Sequence, residues 1–321
     1  MSTAAVSASR SIPTIDLNDY TSGGGDARSR MVQTLGEGLK EFGFLNVEGH
    51  GIDPSLIRGT YQLWQRFFAL PEEVKARYAG AAGGARGFTP FGVEHAKDNP
   101  LPDLKEFWHV GQDLPEGHPY RAEYPGNLWP QEIPEIHEPT IRLYKSLERV
   151  AENLLFALAE YFEMPRETFA SMMEWGNSIL RIIHYPAVRP EQLPAVRAAA
   201  HEDINLITLL CEATDSGLEI LTREGEWLPV QSGEGQIVVD AGDMLSRFTN
   251  EVVPATTHRV VNPPNGSPRD RYSMPFFVHP YSSCDLTINP RFVSDENPPK
   301  YPPITAGEFL DQRLREIGLK K

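Results

Sequence analysis

Residues 201–210 read HEDINLITLL, a polar His-Glu-Asp segment that leads into an apolar run with β-branched residues. This run is one of eight short, β-rich stretches between residues 177 and 280, and Gly, Pro, Asn and Asp residues separate them. The stretches are SILRIIHY, INLITLLCE, GLEIL, WLPV, GQIVVDAG, DMLSRFT, THRVV and YSMPFFVH. Eight short strands at this spacing predict a closed barrel or a jelly roll.

Helical periodicity dominates the chain before these strands. Apolar residues recur at spacings of three and four in residues 28–42 and 137–163, which predicts an amphipathic helix in each segment. Residues 54–70 favour a third helix with Pro54 near its start, and residues 304–321 favour a C-terminal helix. Residues 80–111 are glycine-rich and weakly periodic, so we expect a loop over a site there.

Together these patterns predict one large domain of mostly β structure with flanking helices. Residues 1–10 lack the apolar segment of a secretion signal and are predicted to form a disordered lead-in. Residues 11–176 are predicted to be mainly helical, residues 177–281 to form the β core, and residues 282–321 to form a C-terminal extension with a helix.

The composition narrows the classes of function. Of 321 residues, 40% are hydrophobic and 23% charged, and no apolar run is long enough to span a bilayer, so a membrane protein is not expected. The net charge of −14 argues against nucleic acid and anionic membranes as partners, because clustered Lys and Arg bind both. Cys211 and Cys284 are too few for a disulfide framework, which favours the cytoplasm. A small molecule is the expected partner.

The spacing of His201 and Asp203 indicates a metal site only in context. With nine His and 44 acidic residues in the chain, about one such pair is expected by chance. On a strand, however, residues i and i+2 share a face, so the two side chains could present ligand atoms to one point. His258 in THRVV offers a third ligand if the two strands face each other across a barrel. Two histidines and one carboxylate leave coordination positions open, as in non-haem Fe(II) oxygenases, although zinc accepts the same ligands.

A second pair of polar residues follows THRVV. Arg271 and Ser273 in RDRYSMPFFVHP again share a strand face. A guanidinium beside a hydroxyl is suited to binding a carboxylate inside an apolar barrel, which predicts a carboxylate-bearing ligand next to the metal. The alternative is a structural ion pair of Arg271 with Asp240, Asp243 or Asp270.

With these residues in this order, the chain resembles the isopenicillin N synthase-like branch of the Fe(II)/2-oxoglutarate-dependent dioxygenases. Most of the chain carries the resemblance, in SIPTIDL, EFGFLNVEGHGI, FFALPEEVKARY, GFTPFGVE, DLKEFWHVG, LRIIHYP, AGDMLSRFTN and HRVVNP. The resemblance implies a double-stranded β-helix (jelly-roll) core in which His201, Asp203 and His258 bind Fe(II).

The resemblance also implies a binding mode for the cosubstrate. The keto-acid end of 2-oxoglutarate would chelate the iron, and its far carboxylate would meet Arg271 and Ser273. Tyr185 matches a family tyrosine that contacts the cosubstrate, and Ile183 stands where the family often has an asparagine. The family places five further residues near the barrel mouth, which makes them substrate candidates: Arg86, Phe88, Phe91, Arg247 and Phe248.

The function implied by the resemblance is that of an oxidoreductase. It would couple the decarboxylation of 2-oxoglutarate by O2, giving succinate and CO2, to the oxidation of a small metabolite, with hydroxylation as the default outcome. Three alternatives remain open at this point. They are an O2-dependent oxidase of the same fold that does not use 2-oxoglutarate, a metal-binding sensor without turnover, and a zinc hydrolase.

Overall fold

Two facing β-sheets form the centre of the molecule, and helices cover the outer side of the larger sheet. The computed structural model describes residues 11–80, 85–94, 101–192, 195–263 and 267–316. The predicted lead-in at residues 1–10 lies outside the described residues, as do residues 317–321 of the predicted C-terminal helix.

The larger sheet has the strand order β1-β2-β10-β7-β12-β5-β4-β3, and the smaller sheet has the order β6-β11-β8-β9. Neighbouring strands are antiparallel except for the parallel pair β1 and β2. The strands are β1 (Thr14–Asp16), β2 (Phe44–Glu48), β3 (Gly87–Thr89), β4 (Glu106–Gly111), β5 (Ile179–Tyr185), β6 (Ala198–His201), β7 (Ile207–Cys211), β8 (Leu218–Leu221), β9 (Trp227–Pro229), β10 (Ile237–Ala241), β11 (His258–Val260) and β12 (Arg271–Val278).

The predicted helices at residues 28–42, 54–70 and 137–163 and near the C-terminus are confirmed, as α2, α3, α5 and α8 below. Asp53 caps α3 by accepting a hydrogen bond from the backbone N–H of Ser55, and Pro54 is the first helical residue. The helices are α1 (Leu17–Thr21), α2 (Gly25–Phe42), α3 (Pro54–Phe68), α4 (Glu72–Lys75), α5 (His137–Tyr161), α6 (Glu167–Met173), α7 (Asp243–Phe248) and α8 (Ala306–Glu316).

The long helix α5 shows how the apolar periodicity forms the core. Its stripe residues Leu147, Ala151 and Leu154 are buried against α2, α3 and the larger sheet. Each fully buried leucine contributes about 1.5–3 kcal/mol relative to an exposed one. Met274 and Phe276 of β12 face this helix-covered core, whereas the alternate residues of the strand face the space between the sheets. The predicted mostly-β fold with flanking helices and a jelly-roll core is confirmed.

The prediction of a strand in DMLSRFT is wrong, because residues 243–248 form helix α7. The apolar residues Met244, Leu245 and Phe248 lie on one face of a single helical turn and are buried there. The segment is too short for its periodicity to distinguish helix from strand.

The prediction of a loop throughout residues 80–111 is also wrong, because it contains the buried strand β4, which lies between β3 and β5. Trp108 and Val110 face the helix-covered core, and Phe107 packs with Ile183 and Tyr185 on the other side of the sheet. A strand buried on both faces lacks the polar and apolar alternation of a surface strand, and therefore its sequence pattern is weak.

Glu148 on α5 gives a pH-dependent prediction. Burial, opposed by Lys145 and assisted by Glu152, raises the pKa of Glu148 from 4.5 to about 7. The folded state therefore holds this proton more tightly than the unfolded state, and stability falls as pH rises between these two values. We expect Glu148→Gln to stabilise the protein by on the order of 2 kcal/mol at pH 8 and hardly at all at pH 4.5.

Urea denaturation of both proteins at the two pH values tests this prediction. Glu116→Gln, a change at an exposed loop residue away from α5, is the control and is expected to change stability little at either pH. An equal gain for Glu148→Gln at both pH values would contradict the electrostatic origin of the effect.

None of the helices in the described ranges is both long and apolar enough to cross a membrane.

Candidate metal centre and cosubstrate cavity

Three side chains meet at one point of the cavity between the two sheets. Asp203 Oδ1 lies 3.8 Å from His201 Nε2 and 3.9 Å from His258 Nε2. All three candidate ligand atoms lie within 4.8 Å of one another. These separations suit three ligands that each lie about 2.0–2.2 Å from a common ion. Within the described residues this is the only group of three or more His, Cys, Asp or Glu side chains with such geometry.

The local backbone differs from the predicted arrangement. His201 is the last residue of β6, and Asp203 lies in the turn before β7, so the two residues do not share a strand face as predicted. The strands that carry His201 and His258 are hydrogen-bonded neighbours in the smaller sheet, with the two histidines directly opposite each other, and they do not face each other across the barrel. The pairing of β6 and β11 therefore brings the histidines together.

Helix α7 fixes the position of Asp203. The backbone N–H groups of Asp243 and Met244, at the start of α7, donate to the carbonyls of Asp203 at 2.7 Å and Asn205 at 3.0 Å. The first N–H groups of a helix have no partner within the helix, and here they bind the turn that carries the carboxylate. The helix that sequence patterning missed is therefore part of the support for the metal centre.

Hydrogen bonds orient each ligand atom toward the common point. Nδ1 of His201 lies 2.7 Å from the carbonyl of Ala199, and Nδ1 of His258 lies 3.1 Å from that of Thr256. A proton on Nδ1 satisfies each carbonyl and leaves the Nε2 lone pair for a metal. Thr208 donates to Asp203 Oδ2, which leaves Oδ1 on the side of the histidines.

The charge states also fit a metal site. Burial, assisted by the neighbouring His258, lowers the pKa of His201 to about 4, so its imidazole is neutral at pH 7. A neutral imidazole is the form that binds a metal. Burial and the nearby Asp203 raise the pKa of Asp240, another cavity residue, well above its usual range. Two imidazoles and one carboxylate are a ligand set that suits a divalent ion.

Arg271 and Ser273 line the same cavity as the metal-site residues. Arg271 is 2% exposed, and its Nε donates to the backbone carbonyl of Asp215 at 3.1 Å. Its Nη1 is buried and has no hydrogen-bond partner among the described residues. Tyr185 lies opposite Arg271 in the sheet, with its ring centroid 4.8 Å from the guanidinium carbon. A buried guanidinium with an unused donor requires an anionic partner, and a ligand carboxylate meets that requirement.

The alternative role of Arg271, as a structural ion pair, is not supported. Asp243 pairs with Arg313 at 2.6 Å. Asp270 accepts a hydrogen bond from the backbone of Ala187 and lies 3.1 Å from His184. Across the described ranges, no ion pair of Arg271 is found within 4 Å.

An ion pair between a buried arginine and a partly exposed aspartate holds the loop on which Arg271 rests. Arg197 is fully buried, and its Nη1 lies 3.0 Å from Asp215 Oδ2. The carbonyl of the same aspartate accepts the Nε bond of Arg271. Tyr272 and Thr214 add two hydrogen bonds between this loop and β12, at 2.8 and 3.1 Å. The orientation of the Arg271 guanidinium therefore depends on Arg197 and Asp215.

We expect Asp215→Asn to weaken 2-oxoglutarate binding about fivefold, because loss of the charged bond to Arg197 loosens the carbonyl that orients Arg271. Iron affinity is expected to stay unchanged. Titration of the iron-loaded protein with 2-oxoglutarate, without oxygen, measures the effect. Glu226→Gln, a change in an exposed turn, is the control. Equal 2-oxoglutarate affinities of the wild type and Asp215→Asn would contradict this dependence.

The structure does not bring the five substrate candidates to this cavity. Three of them pack on residues that do not line the cavity. Phe88 packs on Phe67, Phe248 on Phe169, and Arg247 on Tyr301. Arg86 is 1% exposed and binds Asn177 and its neighbouring carbonyl. Phe91 is 39% exposed. Arg247 and Phe248 do not line the cavity because they lie on helix α7 and not on a strand of the barrel. Phe88 does not line it because its side chain packs in the helix-covered core.

Other cavity residues were missed by the sequence interpretation. Arg181 lines the cavity together with Ile183 and Tyr185, at alternate positions of β5, and Phe277 does so in β12. The sequence could have predicted them, because every second residue of a strand faces the same side of the sheet. Arg181 lies four residues before Tyr185 on β5, and Phe277 lies six residues after Arg271 on β12. Lys105, Thr208 and Asp240 also line the cavity. The cavity leaves about 70 Å³ for the centres of water-sized molecules.

Comparisons with known proteins agree with this geometry. Residues 12–132 match the family described as non-haem dioxygenase in morphine synthesis N-terminal, and residues 176–280 match the 2OG-Fe(II) oxygenase superfamily. The 2-oxoglutarate-Fe(II) type oxidoreductase hxnY of Emericella nidulans is 30% identical over 311 residues, which cover 93% of this chain and 88% of that protein.

Two solved structures extend the similarity to the fold. A 2OG-Fe(II) oxygenase family protein from Caulobacter crescentus is 44% identical, with a TM-score of 0.86 and coverage of 97% of this chain and 99% of that one. A full-length Neurospora crassa protein, solved in complex with alpha-KG and thymine, is 28% identical, with a TM-score of 0.84 and coverage of 95% and 96%. The resemblance found in the sequence is confirmed. The chain belongs to the 2OG-Fe(II) oxygenase superfamily and is an oxidoreductase that uses Fe(II), 2-oxoglutarate and O2.

Proposed function

We propose that this oxygenase hydroxylates a small organic metabolite in the cavity between its two sheets, with release of succinate and CO2. The observation that carries the proposal is the presence, in one cavity, of an open three-ligand metal site and a buried arginine with an unused donor. The proposed residue roles are Fe(II) binding by His201, Asp203 and His258, and 2-oxoglutarate binding by Arg271, Ser273 and Tyr185.

Each of these residues has a physical task. Bound Fe(II) supplies the activation of O2 that couples 2-oxoglutarate decarboxylation to substrate oxidation. His201, Asp203 and His258 would hold the ion, and a three-ligand set of this kind leaves room for further ligands. Arg271 and Ser273 hold the far carboxylate of 2-oxoglutarate with charge-assisted hydrogen bonds, and the ring of Tyr185 supports the guanidinium.

The apolar walls of the cavity exclude water from the reaction. They are formed by both sheets and include Phe44, Leu210, Leu218 and Val238. A dry site prevents solvent from competing with the substrate for the oxidising species. The hydroxylation of a small molecule is also supported by the similarity to the Neurospora crassa protein, whose solved complex contains thymine. A cytoplasmic location is part of the proposal, and the two free, buried cysteines support it.

The test of this function is a metabolite library assayed for O2-dependent succinate release by the Fe(II)-loaded protein. We expect a subset of compounds to stimulate succinate formation and to gain one oxygen atom, detected by mass spectrometry. Incorporation of 18O from labelled O2 confirms that the new oxygen comes from O2. Substrate oxidation without any succinate would instead identify an oxidase that does not use 2-oxoglutarate.

Metal and cosubstrate binding separate the remaining alternatives. Fe(II) and 2-oxoglutarate, added without oxygen, are expected to give a weak visible absorption band from the chelate. Normal iron binding without this band would contradict the proposed cosubstrate role. Activity that prefers Zn(II) and does not need O2 would identify a hydrolase, and a complete lack of stimulated succinate formation would indicate a sensor.

A further inference from the structure

A second polar cluster lines the cavity outside the proposed metal and cosubstrate residues. Lys105 Nζ lies 2.9 Å from both Glu94 Oε1 and Asp103 Oδ2. Arg181 Nη1 lies 3.2 Å from the same oxygen of Glu94, and Arg181 Nε donates to His109 Nε2 at 2.6 Å. Lys105 and Arg181 line the cavity, and we refer to these five residues as the Lys105–Arg181 cluster.

Glu94 and Lys105 of this cluster keep their charges at physiological pH. Burial alone would raise the pKa of Glu94, but Arg181 and Lys105 outweigh burial and hold this pKa well below its usual range. Burial alone would lower the pKa of Lys105, but Glu94 and Asp103 outweigh it and hold that pKa above its usual range. His109 accepts a hydrogen bond at Nε2, which requires a neutral ring. Two cations face two carboxylates, so the cluster carries no net charge.

The two cations still have donors to offer. The guanidinium carbon of Arg181 lies 4.3 Å from the ring centroid of Phe107 and 5.1 Å from that of Phe277. No hydrogen bond of its Nη2 is found among the described residues, and 19% of the side chain is exposed. Lys105 uses two of its three N–H groups on carboxylates. The cluster therefore presents hydrogen-bond donors to the cavity without presenting a net charge.

The proposed metal and cosubstrate residues are balanced as well. With ligands bound, the two positive charges of Fe(II) and the charge of Arg271 meet the carboxylate of Asp203 and the two carboxylates of 2-oxoglutarate. Arg197 is paired with Asp215. Among the described residues around the loaded cavity, each cation therefore already faces a carboxylate, and none is left to neutralise an anionic substrate.

We infer that the substrate is an uncharged molecule that directs a hydrogen-bond acceptor, such as an amide or ring carbonyl, to Arg181 and Lys105 and an apolar face to Phe277. This inference rests on the proposed function of the cavity. An anionic substrate would leave an unbalanced charge in a buried site, and burial of an unpaired charge is costly. A cationic substrate would meet the cavity-facing donors of the cluster and be repelled. A carbonyl oxygen satisfies the donors without either cost.

Three six-membered ring compounds of similar size test the inference: 2-piperidone, a neutral lactam; cyclohexanecarboxylate, an anion; and cyclohexylammonium, a cation. Their binding to the protein loaded with Zn(II) and 2-oxoglutarate can be measured by ligand-observed NMR. We expect the lactam to bind at least about tenfold more tightly than either ion. Tighter binding of the carboxylate or the ammonium compound than of the lactam would overturn the inference.

A charge change in the cluster provides the second test. Glu94→Gln removes one negative charge and leaves a net positive cluster, so the affinity ratio of carboxylate to lactam is expected to rise about tenfold. Arg181→Gln is expected to lower that ratio and to weaken lactam binding, because a donor to the carbonyl is lost. An unchanged ratio in both variants would show that the cluster does not select the substrate.

Controls separate this inference from the proposed function. Both variants are expected to bind Fe(II) and 2-oxoglutarate as the wild type does, since neither residue contacts the proposed ligands of these groups. If the wild-type protein did not bind 2-oxoglutarate, the proposed function would be contradicted. Normal 2-oxoglutarate binding with a preference for the anionic probe would contradict only the substrate inference.

Discussion

Replacement of His258 by alanine is expected to lower iron affinity and Fe(II)-dependent succinate formation by more than about a hundredfold. Loss of a residue that only hydrogen-bonds to a metal ligand usually costs about tenfold to a hundredfold, and loss of a ligand itself should cost more. The physical reason is that the two remaining ligand atoms, on His201 and Asp203, cannot complete a three-ligand face. The measurement is the iron content after anaerobic reconstitution and gel filtration, together with succinate release in the presence of 2-oxoglutarate.

His137→Ala is the matched control, because His137 is an exposed histidine at the start of α5, outside the cavity. It is expected to leave both iron content and succinate release unchanged. Circular dichroism and a thermal melt show whether the His258→Ala protein is folded. A folded His258→Ala protein with full iron content and full activity would contradict the assignment of the metal site.

Replacement of Arg271 by leucine is expected to weaken 2-oxoglutarate binding by about 2–5 kcal/mol, which is roughly thirtyfold to several thousandfold in Kd. Leucine removes the charge and the cavity-side donors from a buried site, so the far carboxylate of 2-oxoglutarate would be desolvated without a partner. The Kd is measured by anaerobic titration of the iron-loaded protein with 2-oxoglutarate.

Two further variants sharpen this prediction. Arg271→Lys keeps the charge but loses the forked donor geometry, so its affinity for 2-oxoglutarate is expected to lie between those of the wild type and Arg271→Leu. Ser273→Ala removes one hydrogen bond to the carboxylate, which is worth about 1.5–3 kcal/mol, or roughly tenfold to 150-fold in Kd. Iron affinity is expected to be the same in all three variants. A parallel loss of iron would show a general collapse of the cavity and would contradict a specific role in cosubstrate binding.

The sequence was informative where periodicity was long or where several motifs agreed. The stripe of α5 extends over several turns, so its helix and its buried face were both predicted. His201, Asp203 and His258 followed by Arg271 predicted a metal site with a carboxylate ligand beside it, and the structure places all four in one cavity. The family resemblance then supplied the cofactors, and the comparisons confirmed them.

The sequence was least informative where local patterns were short or both faces of an element were buried. The segment DMLSRFT was predicted as a strand but forms α7, and a buried strand was hidden in the segment that contains Trp108. The family resemblance supplied the substrate candidates, and three of them lie in or beside these two segments. Arg247 and Phe248 lie on α7 and Phe88 lies next to the buried strand, and none of them reaches the cavity.

The sequence by itself determined the mostly-β class, the main helices, the candidate metal ligands and the family, because these depend on residue identity, order and period. Only the tertiary structure decided how the ligands converge, which is by pairing of β6 with β11 and by attachment of the Asp203 turn to α7. It also decided which residues form the rest of the cavity. The pairing of Lys105 and Arg181 with Glu94 joins segments far apart in the chain, and no local pattern encodes which distant charges meet in a buried space.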